Sequence, residues 1–141
     1  MNYAHTITIS LPHEEAVSRV KQELANQGFG VLSEIDIHAT FEAKLGVESA
    51  QTLGDYVILG ACNPLLAEQA LAADPDMGLL LPCNVVIRRS PSAHTTTVQA
   101  INPQTMVQLS EAPEIQNVAD HADERLLAAL AALEGEKAAN S

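Results

Sequence analysis

Hydrophobic and polar positions along the chain fall into two rhythms, and each rhythm predicts an element. Ile7, Ile9 and Leu11 alternate with Thr6, Thr8 and Ser10, the two-residue period of a strand with one buried face. Pro12 then suits the first turn of a helix, where a missing N–H has no partner to lose. Ala16, Val17, Val20 and Leu24 share one face of that helix, Glu15 and Arg19 stand one turn apart, and Gln27-Gly28 stops it. Phe29, Val31, Ile35 and Ile37 alternate with Leu32, Glu34, Asp36 and His38, which predicts a second strand. A short helix from Phe41 to Leu45 comes next, closed by Gly46, and Gln51 to Gly54 reads as connection.

The run Tyr56-Val57-Ile58-Leu59-Gly60-Ala61 is nearly all apolar, as in a strand at a sheet centre or covered on both faces. Asn63-Pro64 supplies an N-cap and a first helical residue for a helix reaching about Ala73, and Asp74-Pro75 ends it. Gly78 to Pro82 leads into a strand at Val85-Val86-Ile87. Ser90-Pro91-Ser92 turns the chain, and Thr95 to Ile101 returns as the hairpin partner. Asn102-Pro103 starts a short helix with Met106, Val107 and Leu109. Pro113 opens the longest helix, whose stripe is Ile115, Val118, Ala119, Ala122, Leu126, Ala129, Leu130 and Leu133. The small polar tail 135–141 is expected to fray.

The predicted order is β-α-β-α-β-α-β-β-α-α. Helices with one apolar face must cover a sheet, so the fold expected is an α+β two-layer sandwich. Its sheet is mixed, mostly antiparallel, of about five strands, with the helices packed on it. No repeat or linker divides the chain, so a single domain over 1–141, with an ordered core at about 3–134, is expected.

Composition narrows the function classes. Seven basic and eighteen acidic residues give a net charge of −11, which opposes binding to nucleic acid and to anionic membrane surfaces. No apolar run is long enough to span a bilayer. Met1 to His5 lacks the basic-then-apolar pattern of a signal peptide, so the cytoplasm is the expected compartment and the two cysteines are expected to be reduced. With only Tyr3, Phe29, Phe41 and Tyr56 as aromatics, the core must be built from Leu, Ile, Val and Ala.

Few motifs carry chemistry. Gly28-Phe29-Gly30 begins like a dinucleotide fingerprint, but Ser33 replaces the third glycine and a strand stands where a helix should start. The sequence has no P-loop, nucleophile elbow, HExxH or CxxC pair, and neither a cofactor nor a metal is indicated. Glu34, Asp36 and His38 would share one strand face and could hold a divalent ion, although the solvated side of a half-buried strand has the same pattern. His5, His13, His94 and His121 form no triad by spacing.

Cys62-Asn63-Pro64 and Pro82-Cys83-Asn84 are the candidate binding residues. Each cysteine is followed by Asn and lies close to Pro, within otherwise apolar sequence. Cys62 ends a strand before a helix N-terminus, where the dipole favours a thiolate. If the fourth strand starts at Leu79, Cys83 comes level with Cys62 on a parallel neighbour. If Pro82 delays that strand, the two cysteines sit at opposite ends of the sheet. Buried inert thiols, one reactive thiol and a working pair all remain open.

Gln27 to Asp36, Ile58 to Ala67, Gly78 to Val86, and Ile101-Asn102-Pro103 with Met106 resemble, in order, the characteristic blocks of the domain-of-unknown-function family three-zero-two. The resemblance implies a small two-layer α+β domain that tends to self-associate, and it carries no catalytic residue. Three functional readings fit the chain. The leading one is a non-enzymatic ligand-binding or interaction domain, a homodimer with a small-molecule pocket near Cys62 and Cys83. The others are thiol-dependent redox or covalent chemistry at Cys62, and a structural assembly partner with both cysteines in the core.

Overall fold

The computed structural model describes the backbone of residues 2–139 and the side chains of residues 2–135. Strand β1 (Ala4–Ile9) leads into α1 (His13–Asn26), then β2 (Gly30–Asp36), α2 (Ile37–Leu45) and α3 (Val47–Leu53). Next come β3 (Asp55–Cys62), α4 (Pro64–Ala73) and a 3₁₀ segment (Pro75–Leu80). The hairpin β4 (Cys83–Arg89) and β5 (Thr96–Ile101) precedes α5 (Gln104–Leu109) and α6 (Ile115–Ala139). The strands form one five-stranded sheet in the order β1-β5-β4-β3-β2, an α+β sandwich as expected. All four pairings are antiparallel, so the mixed component predicted for the sheet is absent from it.

Alternation along the strands places Ile9, Val57, Leu59, Ala61, Val85, Ile87, Val98 and Ala100 on one side. There they bury against Ala16, Val17, Val20 and Leu24 of α1 and Leu126, Ala129, Leu130 and Leu133 of α6. The connection from β1 to α1 is pinned at the Leu11 carbonyl, which accepts from Thr96 Oγ1 at 2.7 Å and from Arg89 Nη1 at 3.1 Å. A second cluster gathers beyond the sheet end: Leu66 and Ala70 of α4, Met77, Met106 of α5, and Ile115, Val118, Ala119 and Ala122 of α6. One helix therefore serves both clusters, its first half in the second and its second half on the sheet. Gln104 of α5 and Gln116 of α6 each donate to Asp120, tying the two helices together.

Three local expectations change. The second strand was expected to keep one rhythm through His38. Instead Leu32 is an extra residue between the pairs Val31–Ala61 and Ser33–Gly60, and this β-bulge exchanges the faces of Ser33 to Asp36. Ile35 consequently points away from the helices and is 46% exposed, while Glu34 turns toward α1 and pairs with Lys21. β2 then stops at Asp36, whose side chain accepts from Ala39 N at 2.9 Å, and His38 lies in α2. The stretch expected as connection before Gly54 is mostly helix α3. Finally, α6 passes Gly135 and continues to Ala139. A glycine costs a helix interior only about 1 kcal/mol, which the Ala- and Leu-rich turns before it offset. Residues 140 and 141 of the expected fray lie outside the described residues.

Gly60 is the tightest point of the sheet. A Cβ built there would clash with Ser33 Oγ and come within 2.8 Å of Pro82 Cγ. The Ser33 hydroxyl would have to turn to another rotamer, and the Pro82 ring, held at the start of β4, has no such escape. Gly60→Ala is expected to cost about 1–3 kcal/mol by overpacking. Ser33→Gly in the same chain should restore part of the loss, measured as the urea unfolding midpoint. Unchanged stability in the single variant would contradict this packing.

Candidate functional site

The antiparallel register brings the starts of β2 and β4 and the ends of β3 and β5 to one end of the sheet. Ala61 pairs with Cys83, and Cys62 with Gly30. Both positional alternatives for the cysteines assumed a parallel neighbour. The reversed direction of β4 brings them together even though Pro82 does delay the strand, which starts at Cys83. The Leu81–Pro82 peptide is cis.

Cys62 is half-buried and Cys83 buried, and both are unbridged. Together with Asn63, Pro82, Phe29 and Leu66 they line a cavity of about 30 Å³ at the seam between the two apolar clusters. Since a single water needs roughly 10–15 Å³ of such space, this cavity is too small for a metabolite. Asn63 is buried at its rim, and its Oδ1 accepts from Leu66 N at 3.2 Å, capping α4. Pro64 is exposed at the first turn of that helix and lines neither this cavity nor the cleft beside it.

That cleft, of about 250 Å³, shares Leu81, Pro82, Cys83 and Met106 with the cavity and continues along Leu79, Leu80, Ile101 and Pro103. Its polar lining residues are Asn84, which is exposed, and Thr105, whose Oγ1 is buried and lacks a hydrogen-bond partner among the described residues. No charged side chain lines it. Thr105 was not singled out from sequence. It carries no motif, and only the fold sets α5 against Cys83. Ile101, Pro103 and Met106 stood in a block of their own, which β4–β5 pairing brings beside Pro82-Cys83-Asn84.

Burial, and secondarily the nearby Cys62, pushes the Cys83 thiol up to about 11. Cys83 is therefore a protonated packing group at neutral pH and a poor nucleophile. Glu34 and Asp36 share the helix side of β2, but His38 lies in α2, so the three do not share one strand face. They surround a hollow of about 420 Å³ with His13 and Lys21, each already engaged. Glu34 meets Lys21, Asp36 caps α2, and His38 Nδ1 lies 2.7 Å from the Gly54 carbonyl. His13 Nε2 lies 2.8 Å from the Ile87 carbonyl, and His5 Nε2 lies 2.6 Å from Asp123 Oδ1. Among the described residues no three of His, Cys, Asp and Glu are grouped to hold a metal ion.

The raised Cys83 value has a consequence for stability. The unfolded thiol ionises near 9.0 and the folded one near 11, so the folded state is favoured fully below pH 9.0. This contribution falls as pH climbs to 11, by up to about 2.7 kcal/mol. Cys83→Ala should therefore show a flatter decline in urea-unfolding free energy between pH 9 and 11 than the unsubstituted protein. Parallel profiles would mean that Cys83 ionises as freely in the fold as outside it.

Among the described residues no helix is long and apolar enough to cross a membrane. No curated protein matches the sequence. A solved structure of an uncharacterized conserved protein DUF302 from Bacillus stearothermophilus superposes with a TM-score of 0.80 at 25% identity, covering 92% of this chain and 97% of that one. The family described as "Domain of unknown function DUF302" matches residues 5–133, which takes in every strand except the first residue of β1, and the whole cleft. The chain belongs to the DUF302 family.

Proposed function

We propose that the chain is one binding domain of the cytoplasm, self-associating as a homodimer, whose ligand is a small, uncharged, mainly apolar molecule held in the cleft beside Cys83. The observation that carries the ligand reading is the cleft itself: about 250 Å³ with apolar walls and a buried Thr105 hydroxyl that has no partner among the described residues. Buried polar groups are nearly always hydrogen-bonded, and a turn of the Thr105 side chain about its Cα–Cβ bond would offer this one to a ligand carbonyl or hydroxyl in the cleft. Asn84 at the opening offers a second polar contact. A carboxylate ligand would enter without a cation to meet it, in a chain of net charge −11. The thiol-chemistry reading has less support, because the cavity shared by Cys62 and Cys83 is lined by no histidine or carboxylate and Cys83 stays protonated.

Thermal unfolding with 1-hexanol, hexanoate and hexylamine tests this reading. A ligand at 100 times its dissociation constant stabilises by about 2.7 kcal/mol. Hexanol should raise the unfolding temperature and the two charged analogues should not. Ile101→Trp, which fills the cleft from a half-exposed position, should abolish the shift, and Thr105→Val should weaken it. Equal shifts with hexanol and hexanoate, or a hexanol shift untouched by Ile101→Trp, would remove the cleft as the site.

A further inference from the structure

We propose that a second copy of this chain docks on the sheet face turned away from α1 and α6, so that two sheets pack face to face inside two helical layers. This rests on the self-association proposed above and names its surface. Ile35, Ile58 and Val86 are cross-strand partners on this face and form an apolar row over β2, β3 and β4. Ile35 is 46% exposed, and Ile58 and Val86 keep partial exposure, whereas Leu59, Val85 and Ile87 on the other face are at most 1% exposed. The row continues into Gln99 and Thr6.

Charge selects the occupant. The strands hold three carboxylates, Glu34, Asp36 and Asp55. By register and alternation all three lie on the helix side, opposite or in step with Leu59, Val57 and Arg89. The open face thus has no strand carboxylate, in a chain with eighteen acidic residues. Two copies at −11 each repel at long range, and this approach sets no strand carboxylate of one sheet against the other. Three polar side chains on the face are bonded within it: Arg88 Nε donates to Gln99 Oε1 at 3.1 Å, and Gln99 Nε2 to Thr6 Oγ1 at 3.1 Å. They can be covered without leaving those partners unpaired.

Size and symmetry agree. Five strands about 4.8 Å apart and about six residues long give a plane of roughly 24 by 20 Å, so a facing pair covers about 1,000 Å², where specific interfaces begin. A two-fold axis near Val86 lays the apolar row of one copy on that of the other. The sheets would pack about 10 Å apart at an angle of about 30°.

The test is the mass in solution by sedimentation equilibrium from about 1 to 100 µM, a range that reads micromolar dissociation constants. Twice the 15.0 kDa chain mass is expected at the top of that range. Val86→Glu should raise the dissociation constant at least ~100-fold with an unchanged circular dichroism spectrum. Thr97→Glu, on the same face and clear of the core, gives the same reading should Val86→Glu fail to fold. Leu109→Glu, on the exposed apolar side of α5, should leave the dimer intact. A wild-type chain that stays at monomer mass overturns self-association and the face together. A dimer that survives both face variants, or that Leu109→Glu disrupts, overturns the face alone. Whether hexanol shifts the unfolding temperature, and whether Ile101→Trp removes that shift, is read in monomer and dimer alike and reports on the cleft.

Discussion

The pairing of Ala61 with Cys83 is the contact on which the rest of this molecule depends. It joins the end of β3 to the start of β4 and so decides which side chains meet at that end of the sheet. Because Ala61 and Cys83 share the helix side, Gly60 and Asn84 share the other, and Gly60 must stay bare where Ser33 and Pro82 close over it. A slip of β4 by one residue against β3 would send Val85 and Ile87 to the open face and bring Val86 inward. The hydrophobic cost of such a slip is large, since each buried Leu or Ile contributes about 1.5–3 kcal/mol relative to exposure. Register, cavity and cleft are therefore aspects of one constraint.

α6 propagates that constraint. Leu126, Leu130 and Leu133 lock onto the sheet, and Ile115, Val118 and Ala122 reach past its end to hold α4 and α5. The two clusters bridged by this helix meet at a seam where the sheet ends. The small cavity beside Cys62 lies at that seam, and the cleft opens where α5 stands off from β4 and β5. The proposed binding site is thus a by-product of how the second cluster is attached, placed where loops and helix ends leave room.

Much of this was legible in the chain because it depends on near neighbours. The alternation at Ile7 and Ile9, the Asn63-Pro64 helix start with its Leu66 contact, the β4–β5 hairpin and the α6 stripe all arise from periods and caps. The features that were not legible depend on distant neighbours. The bulge at Leu32 sets Ser33 opposite Gly60, and no local signal reports that match. The direction of β4 relative to β3 decides whether the cysteines meet, and the intervening α4 permits either. Of the six residues picked out around the cysteines, Cys62, Asn63, Pro82 and Cys83 line the cavity, and Pro82, Cys83 and Asn84 line the cleft. Pro64 is left as a helix starter. Thr105 could only be found once α5 was placed.

Cleft and open face are not independent surfaces. Asn84 and Ile101 line the cleft and also a hollow of about 440 Å³ on the open side with Tyr56, Val86 and Gln99. A second copy covering Val86 would change the solvation of Asn84 and Ile101, and a ligand held by those residues would change the surface a second copy meets. Whatever free energy couples the two events acts equally in both directions. A molecule in the cleft that leaves Asn84 free to pair across the dimer would tighten association, and one that uses Asn84 fully would loosen it. The sign of that coupling is set by a single polar side chain at the rim, where the strand register, the cleft and the face without strand carboxylates meet.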